Sequence, residues 1–138
     1  MRLNGLGKLV DNMWRETPRH FSVVDLDAWV VMPNHFHAVV TLKDPATEAA
    51  WRARGERVPV RERFGRPVEA SLPTIMRSFK AAVRREAACR LHIAQPVWQP
   101  RYFEHVVRNE EDLERIRDYI EANPSCWETD HENPNRKA

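Results

Sequence analysis

The sequence predicts an α+β domain, and three observations carry the prediction. Phe21 to Met32 and His35 to Leu42 are rich in Val, Leu, Trp and Phe and flank a Pro33–Asn34 turn signal, so they read as a β-hairpin. Leu72, Ile75, Met76, Phe79 and Val83 recur at the spacing of one helix face. Leu113, Ile116 and Ile120 do the same after Asn109, a favourable helix N-cap. A length of 138 residues fits one compact domain, and 42% hydrophobic residues suffice for a core.

Before the hairpin, Gly7 to Trp14 reads as a short helix with Leu9, Val10 and Met13 apolar, ended by Pro18. Along the second hairpin strand Phe36, Ala38, Val40 and Leu42 make the apolar face, and His35, His37, Val39 and Thr41 the other. Residues 44–67 lose the strand pattern. They hold Arg52, Arg54, Arg57, Arg61, Arg63 and Arg66, and read as a mobile basic loop. Ser71 opens the middle helix. Trp98 to Val107 reads as an irregular third strand interrupted by Pro100. In the last helix Asp112 takes the capping-box position, Glu110 and Glu111 complement the dipole, and Pro124 is expected to stop the helix at Asn123. The polar stretch from Ser125 to Ala138 is expected to fray; the domain is taken as 1–130, with 131–138 as its tail.

Composition excludes some classes. No apolar run approaches the length of a membrane span, and Met1 to Gly5 lacks the apolar stretch of a signal peptide, so a cytoplasmic location is expected. Cys89 and Cys126 form neither a metal-type spacing nor a disulfide framework and are expected to be reduced. Net charge is only +2, yet of the 22 basic residues four are lysines and the rest arginines. Arginine suits bidentate contact with phosphate, but a GC-rich genome enriches it equally.

The chemistry concentrates in two places. His35 and His37 are two apart on a strand and face one side, while Phe36 faces the core. Tyr119 and Asn123 are four apart on a helix, share a side, and lie beside its apolar stripe. Two imidazoles, an amide oxygen and a phenol can form a metal site beside a nucleophile, which suits breaking a phosphodiester bond. An amide oxygen joined by phosphate oxygens favours Mg²⁺ or Mn²⁺ over a closed Zn²⁺ site. Arg77, Lys80, Arg84 and Arg85 gather on the middle helix, where they could follow a phosphate backbone or form an ordinary solvated side. Tyr102 is the rival nucleophile, more simply a packing residue. His105 and Glu104 are explained equally well by structure. Trp98 and Phe64 could stack on bases or simply pack.

The stretches Val31-Met32-Pro33-Asn34-His35-Phe36-His37-Ala38-Val39-Val40, Trp98 through Glu110, and Asp118-Tyr119-Ile120-Glu121-Ala122-Asn123-Pro124 resemble the REP-associated tyrosine transposases, bacterial transposases with one catalytic tyrosine. Ser71-Leu72-Pro73 through Ser78-Phe79-Lys80 resembles that family's middle helix. The resemblance runs from Met1 to about Asp130. It implies a ferredoxin-like antiparallel sheet backed by helices, a metal on His35 and His37 completed by Asn123, and Tyr119 as nucleophile. It further implies single-stranded DNA ends folded into hairpins as substrates, cut through a 5′-phosphotyrosine. Family members usually begin with a further strand inside the sheet, and Met1 to Gly7 aligns beyond it. The expectation is a sheet missing that first strand, an edge offered to a second copy as a homodimer, and weakened activity. The alternatives are a hairpin-DNA-binding protein without catalysis and, more weakly, a metal-dependent hydrolase unrelated to DNA.

Overall fold

In the computed structural model the described residues are 2–43, 71–130 and Asn133. The expected basic loop at 44–67, Phe64 within it, and all of the 131–138 tail except Asn133 lie outside them. Helix α1 (Gly5–Arg15) is followed by a single helical turn, α2 (Thr17–His20). Strands β1 (Val24–Val31) and β2 (Phe36–Leu42) form an antiparallel hairpin, and helices α3 (Leu72–Leu91) and α4 (Glu110–Cys126) follow. The class is α+β: a two-stranded antiparallel sheet with helices packed against it.

Each long helix starts where its sequence offers an acceptor. Asn4 accepts from Gly7 N at 2.8 Å, Ser71 from Thr74 N at 3.3 Å and Asn109 from Asp112 N at 2.8 Å. The hairpin turn closes through Met32 N donating to His35 O at 2.9 Å. Within the hairpin Leu26 pairs with Val40 and Trp29 with Ala38, so Asp27 and Ala28 together stand opposite Val39. This β-bulge resets the alternation of β1. Val24 and Leu26 before it, and Trp29 and Val31 after it, therefore all share the face of Phe36 and Val40.

That face carries the core. Val10 and Trp14 of α1 and Phe79 and Val83 of α3 are buried against Val31, with Phe36 and Val40 packed beside them. The Trp14 ring meets Phe36 and Phe79 edge-on at centroid distances of 5.0 and 4.9 Å. Helix α4 packs on the opposite face, against both strands. The hairpin is thus the middle layer between α1/α3 and α4.

The structure corrects three sequence expectations. First, Trp98 to Val107 forms no strand. Pro100 cannot donate to a ladder, Arg101 sits in the left-handed region at φ 70°, and Phe103 is 92% exposed. The start of this segment is held by α3 instead. Trp98 Nε1 donates to Lys80 O at 3.1 Å, and Lys80 Nζ donates to Gln99 O at 2.8 Å and Arg101 O at 3.2 Å. Second, Pro18 does not close the helical region but sits in the first turn of α2, where its missing N–H is not needed. Third, Pro124 does not stop α4 at Asn123. The helix continues to Cys126 and a 3₁₀ turn, Trp127–Thr129, so Ser125 to Thr129 do not fray. One proline near a helix end frees a single carbonyl, and Ser125 Oγ donating to Ala122 O at 2.7 Å helps hold the turn beyond it. Among the described residues no helix is long and apolar enough to cross a membrane.

Phe36→Ala should lower the unfolding free energy by about 3 kcal/mol or more, because it removes a ring between Trp14 and Phe79. His37→Ala, on the other face of the same strand, should cost clearly less. Equilibrium urea unfolding of both variants checks the contrast.

Candidate functional site

On the face of β2 away from the core, strand alternation brings His35 and His37 together. Their rings lie 4.8 Å apart, centroid to centroid. Helix α4 crosses this face, and the Tyr119 ring meets His37 edge-on at 5.4 Å. One turn later Asn123 is 3% exposed, whereas Tyr119 remains 52% exposed. Tyr119 thus reaches solvent, while Asn123 is enclosed. All four residues singled out in the sequence converge here.

Two polar atoms in this cleft are buried without a hydrogen-bond partner among the described residues: His35 Nε2 and Asn123 Oδ1. A buried acceptor left unpaired costs about 1–3 kcal/mol, so both atoms are available to a further partner. The tautomer of His35 fits a ligand role. Its Nδ1–H donates to Asn34 Oδ1 at 2.7 Å, and because an amide oxygen only accepts, the lone pair falls on Nε2. No group of three or more His, Cys, Asp or Glu side chains gathers among the described residues. The donor set is imidazole plus amide oxygen, open to further oxygens from a substrate. Such a set would suit Mg²⁺ or Mn²⁺ better than a closed Zn²⁺ centre.

Two neighbours of the site were missed in the sequence. Asn34, besides marking the turn, holds His35 through its amide oxygen. Trp127 lies 6.0 Å from His35, ring to ring. Its position four residues after Asn123, on the same helical side, is the sequence signal for it, provided the helix continues past Pro124.

The basic residues of α3 lie elsewhere. Helix α3 packs on the core face, so Arg77, Lys80, Arg84 and Arg85 are separated from the histidines by the hairpin. The Lys80 ammonium is engaged with the carbonyls of Gln99 and Arg101. Arg85 approaches Glu86 at 3.7 Å, while Arg84 is exposed. Tyr102 follows directly on Arg101, tied to α3, whereas Tyr119 touches a histidine. His105 faces Asp112 at 2.8 Å near the start of α4, and hydrogen bonding from His105 and Arg115 holds the Asp112 carboxyl below the ordinary carboxylate range.

Helix α4 is tied to β1 by charge. Arg117 Nε and Nη2 donate to Asp27 Oδ1 and Oδ2 at 2.8 and 2.6 Å, a bidentate pair. Glu114 and Glu110 approach Arg117 Nη1 at 2.5 and 3.4 Å. The Arg117 hydrogen bonds push the Asp27 carboxyl below its ordinary value, against partial burial, and raise the Arg117 guanidinium in turn. On the far side of β1, burial works against the Asp11 carboxylate. Hydrogen bonds from Arg15 and Trp29 outweigh it and hold that carboxyl low.

An α+β domain in which a two-histidine strand faces a tyrosine–asparagine helix is the class these elements define. An uncharacterized protein of Haemophilus influenzae is 32% identical over 133 residues, covering 94% of this chain and 71% of that protein. The chain belongs to the family of that protein. It is also similar to a REP-associated tyrosine transposase of Escherichia coli K12, at 29% identity over 102 residues. That match covers 72% of this chain but 44% of the transposase, less than half its length. No family model matches the chain, and no solved structure gives a significant match.

His35→Ala and Asn123→Ala should each weaken Mn²⁺ binding at least tenfold while leaving the domain folded, as read by calorimetric titration and far-ultraviolet circular dichroism. Acid should loosen α4. The Asp27 carboxyl is depressed from 3.8, so its contribution is present above that value and is lost as pH falls through the folded-state value. Below about pH 4 the wild-type stability should therefore fall more steeply than that of Asp27→Asn, measured by urea unfolding across pH.

Proposed function

We propose that this protein cleaves and rejoins single-stranded hairpin DNA through a covalent bond to Tyr119, as a transposase or nickase–strand transferase. The observation that carries the reading is the phenol of Tyr119 set against His37, beside two buried, unpartnered acceptors, His35 Nε2 and Asn123 Oδ1. The similarity to a REP-associated tyrosine transposase supports the same reaction class.

Tyr119 Oη forms a bond to phosphorus as the bond from phosphorus to the 3′ oxygen breaks. The phenol proton passes to a base or solvent, and the 3′ oxygen takes up a proton to leave as a hydroxyl. The 5′ side stays on Tyr119 as a phosphodiester. Bond energy is thereby retained, and a 3′-hydroxyl can later attack the same phosphorus and release the tyrosine. His35, His37 and Asn123 would hold Mg²⁺ or Mn²⁺, which when bound polarises the scissile phosphate and offsets its charge. Asn34 keeps the His35 lone pair directed away from the turn. A hydrolase acting through water would have no need of a tyrosine here. A second reading is hairpin binding without cleavage.

With Mn²⁺ and a labelled DNA hairpin, the wild type should yield a covalent adduct on a denaturing gel. Tyr119→Phe should bind equally and yield none. An adduct formed by Tyr119→Phe would overturn the nucleophile assignment. Binding without an adduct in the wild type would favour the second reading. Affinity should fall by roughly fifty-fold over a fourfold rise in salt if about four phosphates are contacted, since single strands give a log–log slope of about −0.7 per contact. Salt-independent binding would count against both readings.

A further inference from the structure

Residues 117 and 119 of α4 straddle the sheet. Two positions apart on a helix is a rotation of about 200°, so the two side chains leave the cylinder on nearly opposite flanks. Ile120, buried at 4% exposure, points between them on the sheet-facing side. On one flank Arg117 reaches down to Asp27 on β1. On the other, Tyr119 lies against His37 on β2. A smooth apolar underside resists lifting of the helix but resists rolling only weakly. A bidentate guanidinium–carboxylate pair, fixed in both distance and plane, resists rolling directly.

Asp27 follows the core-facing Leu26, so strand alternation sends it to the α4 side, and it begins the β-bulge. It and Ala28 occupy the position opposite Val39, where an unbroken ladder would place one residue. Bulges re-aim side chains. Here the extra residue returns Trp29, rather than Ala28, to the core side after Asp27 has turned toward α4.

We infer that Arg117 and Asp27 form a roll-stop for α4, a positioning pair that sets Tyr119 and Asn123 in register with His37 and His35. This rests on the proposed role of Tyr119, but the positioning itself is a property of the protein without substrate. Arg117 lies on the flank of α4 away from Tyr119. It acts through the rotation of the helix that carries both the nucleophile and the amide. Glu110 and Glu114 hold the other edge of the guanidinium and keep it from swinging to solvent.

The test uses the full chain with Asp27→Asn, Arg117→Met and the exchanged double variant Asp27→Arg/Arg117→Asp. Three readouts are compared: the ring-current shift that Tyr119 imposes on the His37 ring protons, Mn²⁺ affinity, and the rate of adduct formation with a DNA hairpin. Each single variant should stay folded and bind the hairpin as the wild type does. Each should lose most of the ring-current shift, bind Mn²⁺ about tenfold more weakly, and form adduct about 10²-fold more slowly, the scale expected for a displacement near 1 Å. The exchanged variant should recover a large part of all three. Singles that keep the ring-current shift and Mn²⁺ affinity overturn the inference, as does an exchanged variant that recovers stability alone. A wild type that forms no adduct, with the ring-current and Mn²⁺ effects as stated, sinks the proposed reaction and leaves the roll-stop standing. If a single variant unfolds, the exchanged variant decides by the same two substrate-free readouts.

Discussion

The ring of Phe36 meets Trp14 at 5.0 Å, and neighbouring residues on a strand point to opposite faces, so that one packing contact turns His35 and His37 away from the core. Core and site are thereby two sides of the same three residues. Burial of Phe36 against α1 and α3 supplies the free energy that fixes the strand. The fixed strand then presents two imidazoles 4.8 Å apart. A one-residue slip of β2 would exchange the faces and lose both at once.

Helix α4 completes the arrangement by a different kind of force. Its underside is apolar at Ile120, but its rotation is set by polar contacts: Arg117 on Asp27 to one side, rings against histidines on the other. The cleft beneath it carries a local cost. His35 Nε2 and Asn123 Oδ1 are buried without partners among the described residues, and stability alone would have favoured apolar side chains there. The cation proposed above would give both acceptors a partner.

The segment that failed as a strand is instructive. Trp98 to Val107 has strand-like composition, but a strand exists only where a neighbouring edge supplies donors and acceptors. Here Pro100 and the left-handed Arg101 follow a tryptophan whose indole donates to α3, and among the described residues no ladder pairs this segment with the hairpin. Composition is a property of the segment, while pairing is a property of its surroundings. The same distinction explains α4. Pro124 is locally unfavourable, yet the helix continues and brings Trp127 to His35.

The hairpin, the helix starts at Ser71 and Asn109, and the two pairs His35/His37 and Tyr119/Asn123 were legible in the sequence, because periods of two and 3.6 and side-chain caps act over a few residues. The bulge at Asp27–Ala28, the ion pair across 90 residues between Asp27 and Arg117, and the engagement of Lys80 by a distant loop were not legible. Nor was it legible that α3 and α4 lie on opposite faces of the hairpin, which separates the basic helix from the histidines. Local spacing determines which side chains share a face. Only the folding of distant segments onto one another decides which faces meet, because that choice depends on the burial and pairing of residues far apart in the chain.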